Sequence, residues 1–390
     1  GVTFEWFLNE ATQTSEVLRL EGETDTTVTV IGSTSGAGTV LVRTRDQEKA
    51  QTFTVTEPIL AGPPTNPFEP LELMLQGEEL DLDEILVAQS ASGWARPLRQ
   101  WCDGQPEWVA KGAVSLSNNR NLSADRVGLG ELSLDCTLPG LATPFSLEVL
   151  FRVEPRYPVA ASHDYACALQ PPKDGSIGAS MYCWGDNTSR QVQADDRVEH
   201  TTPQELSFGA PLEYISLAPS HGCAVDTNSE IHCWGSNAGG QVDPFSLDEP
   251  GPFEPQEVAL GANRKAVKVC TGERSSCALT SRGEIFCWGT NAFALFGPDD
   301  AGVEAGARSG VREVSLGNEA PTFFHDLACG PTHRCALGED GSAHCWGENS
   351  FDVLGRPPVG GEDAGAYNRV LDANGNSLVF EQIFAGVSGT

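Results

Sequence analysis

The sequence predicts an all-β chain: N-terminal β-sandwich domains followed by a β-propeller of four-stranded blades. Three observations carry this expectation. Four tandem copies of a hairpin-like segment recur at intervals of roughly 50–58 residues, the period of a propeller blade. The 42 glycines and 25 prolines of the 390 residues punctuate short alternating apolar runs, and few segments show a helical period. Most of the twelve cysteines fall into pairs that such strands would bring together.

Taken in order, residues 1–58 read as strands of a partial sandwich. FEWFL, VLRL, TTVTVI, TVLVRTR and QTFTVTE alternate apolar and polar residues, with Gly or Asp turns between them. Phe4-Glu5-Trp6 and the closing hairpin resemble the later strands of an immunoglobulin-like or PKD-like domain. The earlier strands are missing, so the sheet edge is expected to be completed by another strand or lost to truncation. Residues 59–70 (ILAGPPTNPFEP) form a stiff, Pro-rich linker.

Residues 71–155 read as a second, immunoglobulin-like sandwich. LELML and LDLDEILVA supply early strands, PLRQWCDG another, and GELSLDC with FSLEVLFRV a late hairpin. Cys102 and Cys136 are its natural inter-sheet disulfide, with Trp101 or Trp108 packed beside them. Glu78, Glu79, Asp81, Asp83 and Glu84 cluster without the spacing of a calcium loop and read as a solvated charge run.

Residues 156–390 hold four hairpin repeats and the start of a fifth. The copies are ACAL…MYCWGDNTSRQV, CAVDTNSEIHCWGSNAGGQV, SCALTSRGEIFCWGTNAFALF and RCALGEDGSAHCWGENSFDVL. Each joins two apolar runs through a turn such as Asp-Thr-Asn, Arg-Gly or Asp-Gly. In the last three copies the cysteines stand equidistant from the turn, so they face each other and can bond: Cys223 with Cys233, Cys277 with Cys287, Cys335 with Cys345. Cys167 and Cys183 keep the pairing across a wider loop. Each closure is worth ~2–3 kcal/mol. Free thiols and zinc ligation are the competing readings; CxxC-like clusters are absent. Two strands precede each hairpin, EVAL and AVKVCTG in the third copy, REVSL and HDLACG in the fourth, which makes one blade per repeat. Cys270 and Cys329 differ by one residue in this alignment and point to opposite strand faces, so no mutual bond is expected unless one strand carries a bulge.

The four registered copies, with their …C-A-L…C-W-G-x-N-x-x-G-Q-V core, resemble the regulator of chromosome condensation repeat family. The resemblance covers about residues 160–390, and the closing G-Q-L-G of that family decays here through SRQVQ and GGQVD to ALFG and DVLG. It implies a propeller, usually of seven blades, and protein–protein binding through a propeller face. The tail LVFEQIFAGVSGT matches the strand before a hairpin, so further blades are expected to follow.

Composition narrows the function. The missing Met and signal pattern suggest a mature or trimmed product. Twelve cysteines favour an oxidising compartment, hence an extracellular or cell-surface address. No apolar run reaches membrane-spanning length, so a soluble chain is expected. A net charge of −30 argues against nucleic acid and favours neutral, basic or cation-bridged partners. No GxSxG, HExxH, P-loop or CxxC appears, so no enzyme, cofactor or catalytic residue is expected, with structural calcium the one cofactor left open. His163, His221 and His333 share a repeat position and read as packing or turn residues, Trp184, Trp234, Trp288 and Trp346 as wedges between blades, and Asn187, Asn237, Asn291 and Asn349 as turn closers. Asn121 and Asn187 start glycosylation sequons.

Variation concentrates in the loops after each WGxN, approximately 193–203, 243–255, 298–310 and 356–367. Repeat symmetry places them on one face. Asp195, Asp196, Phe245, Asp248, Phe253, Asp299, Asp300 and Tyr367 are the residues there expected to meet a partner. The expected function is a secreted or cell-surface recognition or adhesion protein that binds a protein or glycan through these loops. The alternative is a self-assembling subunit of an extracellular fibre, completed by neighbouring chains.

Overall fold

The structure is a computed structural model of the chain. It describes residues 64–89, 95–102, 107–138, 144–155, 158–170, 179–193, 195–246, 254–297, 308–317, 320–349, 352–355 and 367–386, with the backbone of five strands among residues 1–55. Two compact units emerge. One comprises Gly1–Thr65, Asp83–Pro106 and Cys136–Phe145, the other Asn66–Leu82, Glu107–Asp135 and Ser146–Thr390.

The five alternating runs at the start become β1 (Glu5–Leu8), β2 (Leu18–Glu21), β3 (Thr29–Gly32), β4 (Gly36–Arg43) and β5 (Glu48–Val55). β1, β4 and β5 form one sheet in the order β1-β4-β5, and β2 pairs with β3. Two expectations for the next region need correction. LDLDEILVA is not one strand: β7 (Glu79–Asp81) gives way to a single helical turn, Leu82–Ile85, before β8 (Val87–Gln89), with β6 (Leu71–Leu75) preceding them. PLRQWCDG is not a strand either. β9 (Ala95–Pro97) ends at its proline, and Leu98–Gln100 is a 3₁₀ turn closed by the Trp101 N–H donating to the Leu98 carbonyl. Cys102 is bonded to Cys136, Cα to Cα 5.3 Å, as expected. It sits in the bend after that turn, so the bond pins a turn to a strand end rather than sheet to sheet.

The second unit continues with β10 (Glu107–Gly112), β11 (Val114–Ser117), β12 (Asn121–Ala124), β13 (Gly128–Cys136) and β14 (Phe145–Glu154). A four-stranded sheet runs β10-β13-β14-β6 and a three-stranded one β11-β12-β7, with β6 parallel to β14. The burial of β13 alternates residue by residue along the strand, as a half-buried strand requires.

The four repeats fold into four four-stranded antiparallel sheets, the blades of a β-propeller. Blade 1 is β15 (Val159–Ala161), β16 (Tyr165–Gln170), β17 (Ser180–Gly185) and β18 (His200–Leu206). Blade 2 is β19 (Leu212–Ala218), β20 (His221–Asp226), β21 (Ile231–Gly235) and β22 (Gln256–Val258). Blade 3 is β23 (Ala266–Thr271), β24 (Ser275–Thr280), β25 (Ile285–Thr290) and β26 (Arg308–Glu313). Blade 4 is β27 (Phe324–Cys329), β28 (His333–Gly338), β29 (Ala343–Gly347) and β30 (Asn368–Arg369). Four strands per repeat were expected, but their phase is shifted. The EVAL strand pairs with the blade 2 hairpin and REVSL with that of blade 3, so each closes the blade before it.

In every hairpin the two cysteines lie directly opposite each other and are bonded, at Cα separations of 4.0–4.1 Å. That is the close, non-hydrogen-bonded spacing of an antiparallel pair. The glycine of each CWG is required by its backbone. Gly185, Gly235, Gly289 and Gly347 have φ of 111°, 99°, 100° and 109°, and a Cβ there would lie 2.4–2.6 Å from a carbonyl oxygen of the facing strand end.

Three seams join the blades by one rule. The indole N–H of Trp234, Trp288 and Trp346 donates to the carbonyl of Gln191, Gln241 and Leu295 in the preceding blade, each at 2.9 Å. These tryptophans are wedges, as expected, and truncating one to alanine is worth about 3–5 kcal/mol. The prediction for Cys270 and Cys329 fails: they are bonded, Cα to Cα 5.4 Å. The one-residue offset is real, because Cys270 pairs with Cys277 while Cys329 pairs with Arg334. It is also what an inter-blade bond needs. The forward face of one blade meets the backward face of the next, so bonded residues must point to opposite faces of equivalent strands.

A buried ionic cluster ties β14 to the inner strands. Tyr214, Lys268 and Asp326 occupy one repeat position, just after a bulge in β19, β23 and β27. Lys268 Nζ lies 2.8 Å from Asp326 and 3.5 Å from Glu154, Arg152 Nε donates to Glu154 at 2.7 Å, and Arg152 Nη1 lies 3.0 Å from Asp326 as a charge contact. Two cations and two anions balance, with every side chain at most 6 % exposed. Burial pushes the Asp326 carboxyl up, but Lys268 and Arg152 outweigh it and hold it below the ordinary range. The C-terminal tail does not form a strand over 378–386. It runs along blade 4, with the Phe380 N–H donating to Gly341 and the Ile383 N–H to Asp326, and Val370 and Ile383 pack on Cys335, Cys345 and Leu354.

Candidate partner-binding face

The loops after WGxN are organised by the asparagine. Asn187 and Asn237 are fully buried, and their Oδ1 accepts from the backbone N–H groups five and six residues on, Val192 and Gln193 or Val242 and Asp243. Their Nδ2 donates back to the loop carbonyls of Gln193 and Asp196, or Asp243 and Ser246. Asn291 and Asn349 keep the first of these bonds, to Phe296 and Leu354. One buried amide thus anchors each variable loop, the turn-closing role expected of it. It also corrects the sequon reading, because a buried Asn187 cannot accept a glycan in the folded chain. Where glutamine survives, it braces the same turn: the Ser189 N–H donates to Gln191 and the Gly239 N–H to Gln241.

Between blades 1 and 2 these loops border a groove of about 490 Å³, lined among others by Asp195, Glu205, Glu254, His232, Phe208 and Pro255. Among the described residues, three carboxylates and no Lys or Arg line it. Phe208 forms its floor, edge-on to Trp234 at 5.5 Å and to His232 at 6.0 Å. Asp226 holds His232 from behind at 3.0 Å. Asp226, Glu230 and His232 are the only metal-capable group among the described residues. Both Asp226 oxygens already accept, one from the Asn228 and Glu230 N–H groups and one facing His232, so the trio reads as a braced hairpin turn.

Of the residues expected to meet a partner, Asp195 lines this groove. Asp196 does not line it. Its carboxylate is tied to the Val198 N–H, His200 and Asn187, and these bonds hold it below the ordinary carboxylate range. Phe245 stands on its own loop, 74 % exposed. Tyr367 is not an exposed anchor: it stacks on His344, rings 9° apart, and bonds its Nδ1. Asp248, Phe253, Asp299 and Asp300 lie outside the described residues. Sequence reasoning missed Glu205, Phe208, His232 and Glu254. His232 carried a legible signal, because it neighbours a hairpin cysteine and alternation turns it to the opposite face. The others flank the outer strand whose blade assignment was shifted.

Of the three aligned histidines, His221 and His333 pack against the protein, whereas His163 lies on the surface. His221 is fully buried, its Nε2 2.9 Å from Ser276, and burial followed by the Arg334 charge lowers its pKa to about 3. His333 is likewise lowered, by burial first, and His163 pairs on the surface with Asp164.

The fold and its seams define a disulfide-stapled repeat β-propeller. Residues 266–294 and 324–352 match the regulator of chromosome condensation (RCC1) repeat, and the repeat region belongs to the RCC1-type repeat family. The probable E3 ubiquitin-protein ligase HERC4 of Homo sapiens is 27 % identical over 182 residues, which is 46 % of this chain and 16 % of that protein. The human E3 ubiquitin-protein ligase HERC2 is 27 % identical over 206 residues, 50 % of this chain and 4 % of that one. The chain therefore spans a small part of the curated relatives it matches. Among solved structures, human WBSCR16 aligns with a TM-score of 0.48 at 15 % identity, over 88 % of this chain and 90 % of that one. Prp20p of Saccharomyces cerevisiae aligns at 0.46 and 19 %, over 63 % and 62 %. Among the described residues no helix is long and apolar enough to cross a membrane. Six disulfides suit an oxidising environment.

Proposed function

We propose that the chain is a non-enzymatic recognition protein outside the cytosol, a secreted or surface head in which the propeller grips a basic segment of a protein partner. RCC1-like repeats mediate protein interactions, which supports the class. The single observation behind the finer reading is the groove between blades 1 and 2. It offers Asp195, Glu205 and Glu254 around an aromatic floor, in a chain of net charge −30. Lysine or arginine in such a groove gains charge-assisted bonds at the rim and a ring face below. The sandwich strands act as a stalk of immunoglobulin-like type in this reading, and glycan recognition is the competitor. An array of basic, neutral and acidic peptides beside a glycan array tests it. Basic peptides should bind, and Asp195→Lys with Glu254→Lys should weaken them at least tenfold with a flatter salt dependence. Binding confined to glycans, or unchanged by the charge reversals, refutes it.

A further inference from the structure

Blade 3 carries one more cysteine in its ladder than the other three blades. In each blade the two hairpin cysteines extend a cross-strand row whose first member lies on the inner strand. That member is Ala160 in blade 1, Ser216 in blade 2 and Ala328 in blade 4, but Cys270 in blade 3. The blade 3 row therefore reads Cys270, Cys277, Cys287, each directly opposite the next. Directly opposed side chains share one face of a sheet, so three cysteine side chains stand in line on the forward face of blade 3. At one end of the line Cys270 is bonded to Cys329 of blade 4; at the other Cys277 is bonded to Cys287. Two disulfides are thus neighbours, and Cys277 faces a sulfur on both sides.

The ladder puts an alternative bond within reach. A residue on a middle strand aims its N–H and C=O at one neighbour only, so Cys277, a close non-hydrogen-bonded partner of Cys287, meets Cys270 as a hydrogen-bonded pair. Such pairs stand about 5.5 Å apart at Cα, inside the range of roughly 4.4–6.8 Å that a disulfide spans. The seam also supplies a cation. Arg334 lies opposite Cys329 across β27 and β28, and its guanidinium is fully buried between blades 3 and 4, with Nε 3.4 Å from the Cys277 sulfur. Its remaining partners are neutral: the carbonyls of Gly330 at 2.7 Å, His333 at 2.8 Å and Ser275, and the Ser275 hydroxyl. Burial lowers its pKa to about 9, the mark of a cation without a carboxylate to offset it. A thiolate formed in this row stands beside that charge, the setting that favours the thiolate form. The seam does not depend on a covalent bond at this position, because Ser216 of blade 2 meets Thr271 of blade 3 there through hydroxyls 3.0 Å apart.

We propose that Cys270, Cys277, Cys287 and Cys329 form a thiol–disulfide exchange site, at which a dithiol opens the bond between blades 3 and 4 and Cys270 then bonds within its own blade. The dithiol attacks Cys329, the half-buried partner, Cys270 being only 5 % exposed. The first thiolate forms a mixed disulfide with Cys329 as the Cys270–Cys329 bond breaks and its electron pair leaves on Cys270. The second thiolate closes the dithiol into a cyclic disulfide and releases Cys329, so the dithiol is oxidised by two electrons. The Cys270 thiolate then attacks the Cys277 sulfur. Cys270–Cys277 forms, Cys277–Cys287 breaks, and the pair leaves on Cys287 with no net redox change in this step. The two protons of the dithiol end on Cys329 and Cys287. The untreated chain keeps Cys270 on Cys329, and the exchange trades a bond between blades for one inside a blade. It uses no residue of the acidic groove and stands apart from the partner-binding reading.

Partial reduction of the full chain with graded dithiothreitol tests it, followed by acid quenching, alkylation in denaturant at mildly acidic pH and peptide mapping by mass spectrometry. A species with Cys270 joined to Cys277, and with Cys287 and Cys329 alkylated, should appear while Cys335–Cys345 of blade 4 is still closed. Cys270 and Cys329 alkylated together at every concentration, with Cys277–Cys287 unbroken, overturns the exchange. The variant Cys329→Ser removes the need for a reductant, and the hydroxyl pair of the neighbouring seam shows that a serine is tolerated at such a contact. After native incubation near pH 8 its single thiol should be found divided between Cys270 and the hairpin cysteines of blade 3. A thiol confined to Cys270 in that variant overturns the proposal even if reduction of wild type proves slow.

Discussion

Removing Asp326 should damage the propeller more than any exposed substitution. Its carboxylate faces Lys268 at 2.8 Å and Arg152 at 3.0 Å and accepts from the backbone N–H groups of Leu327 at 2.8 Å and Ile383 at 3.0 Å. Asp326→Ala leaves two buried cations against one anion, Glu154, and removes the acceptor of the buried Leu327 N–H and of the partly buried Ile383 N–H. Losing one partner of a buried ionic network costs roughly 3–5 kcal/mol, chiefly because the remaining charge stays desolvated. For a unit of this size that corresponds to a fall of about 10 °C in the thermal midpoint. Urea unfolding followed by tryptophan fluorescence measures it, since Trp234, Trp288 and Trp346 report the seams. The double variant Asp326→Ala with Lys268→Met restores neutrality and should recover a sizeable part of the loss. A single-variant loss below about 1 kcal/mol, or a double variant whose cost is the sum of the singles, refutes the reasoning.

Three further outcomes follow from local features of the fold. Gly289→Ala places a Cβ 2.6 Å from the Arg274 carbonyl at φ 100° and should destabilise by about 2 kcal/mol or more in denaturant unfolding, whereas Gly209→Ala, with nothing within 4 Å, should be near neutral. Burial first, then Glu78 and Asp226, raises the Glu213 pKa from 4.5 to about 7. The folded chain therefore holds a proton that the unfolded chain releases, so this group costs nothing below about pH 4.5 and progressively more towards pH 7. Glu213→Gln should match wild type at pH 4 and exceed it at pH 8 by up to about 3 kcal/mol, read from urea midpoints; equal gains at both values would sink the assignment. Cys270→Ser with Cys329→Ser opens the longest disulfide loop, a separation of 59 residues, and should cost about 3–4 kcal/mol of unfolding free energy, more than opening one hairpin bond.

Much of the propeller was legible because the repeat states its own rules. Opposed cysteines fixed the hairpin register, and CWG announced the seam indole and a glycine that tolerates no side chain. What stayed hidden depended on neighbours in space. The outer strands look in sequence like the start of the next repeat, and only ladder pairing assigns them backwards. Cys270 and Cys329 point to opposite faces of equivalent strands, which reads as an obstacle to a bond until those strands belong to neighbouring blades stacked face to face. Arg152 and Glu154 lie on β14, outside the repeats, and nothing local says that they meet Lys268 and Asp326. The groove was half visible: Asp195 follows from loop variation, but Phe208, His232 and Glu254 converge only once blade 1 packs on blade 2.

The most direct test is a disulfide map of the unreduced protein by mass spectrometry. Four hairpin pairs, Cys102 with Cys136, and a cross-link between the peptides bearing Cys270 and Cys329 are expected. Free thiols at the hairpin cysteines, or Cys270 joined to any residue other than Cys329, would contradict both the blade stacking and the oxidising address.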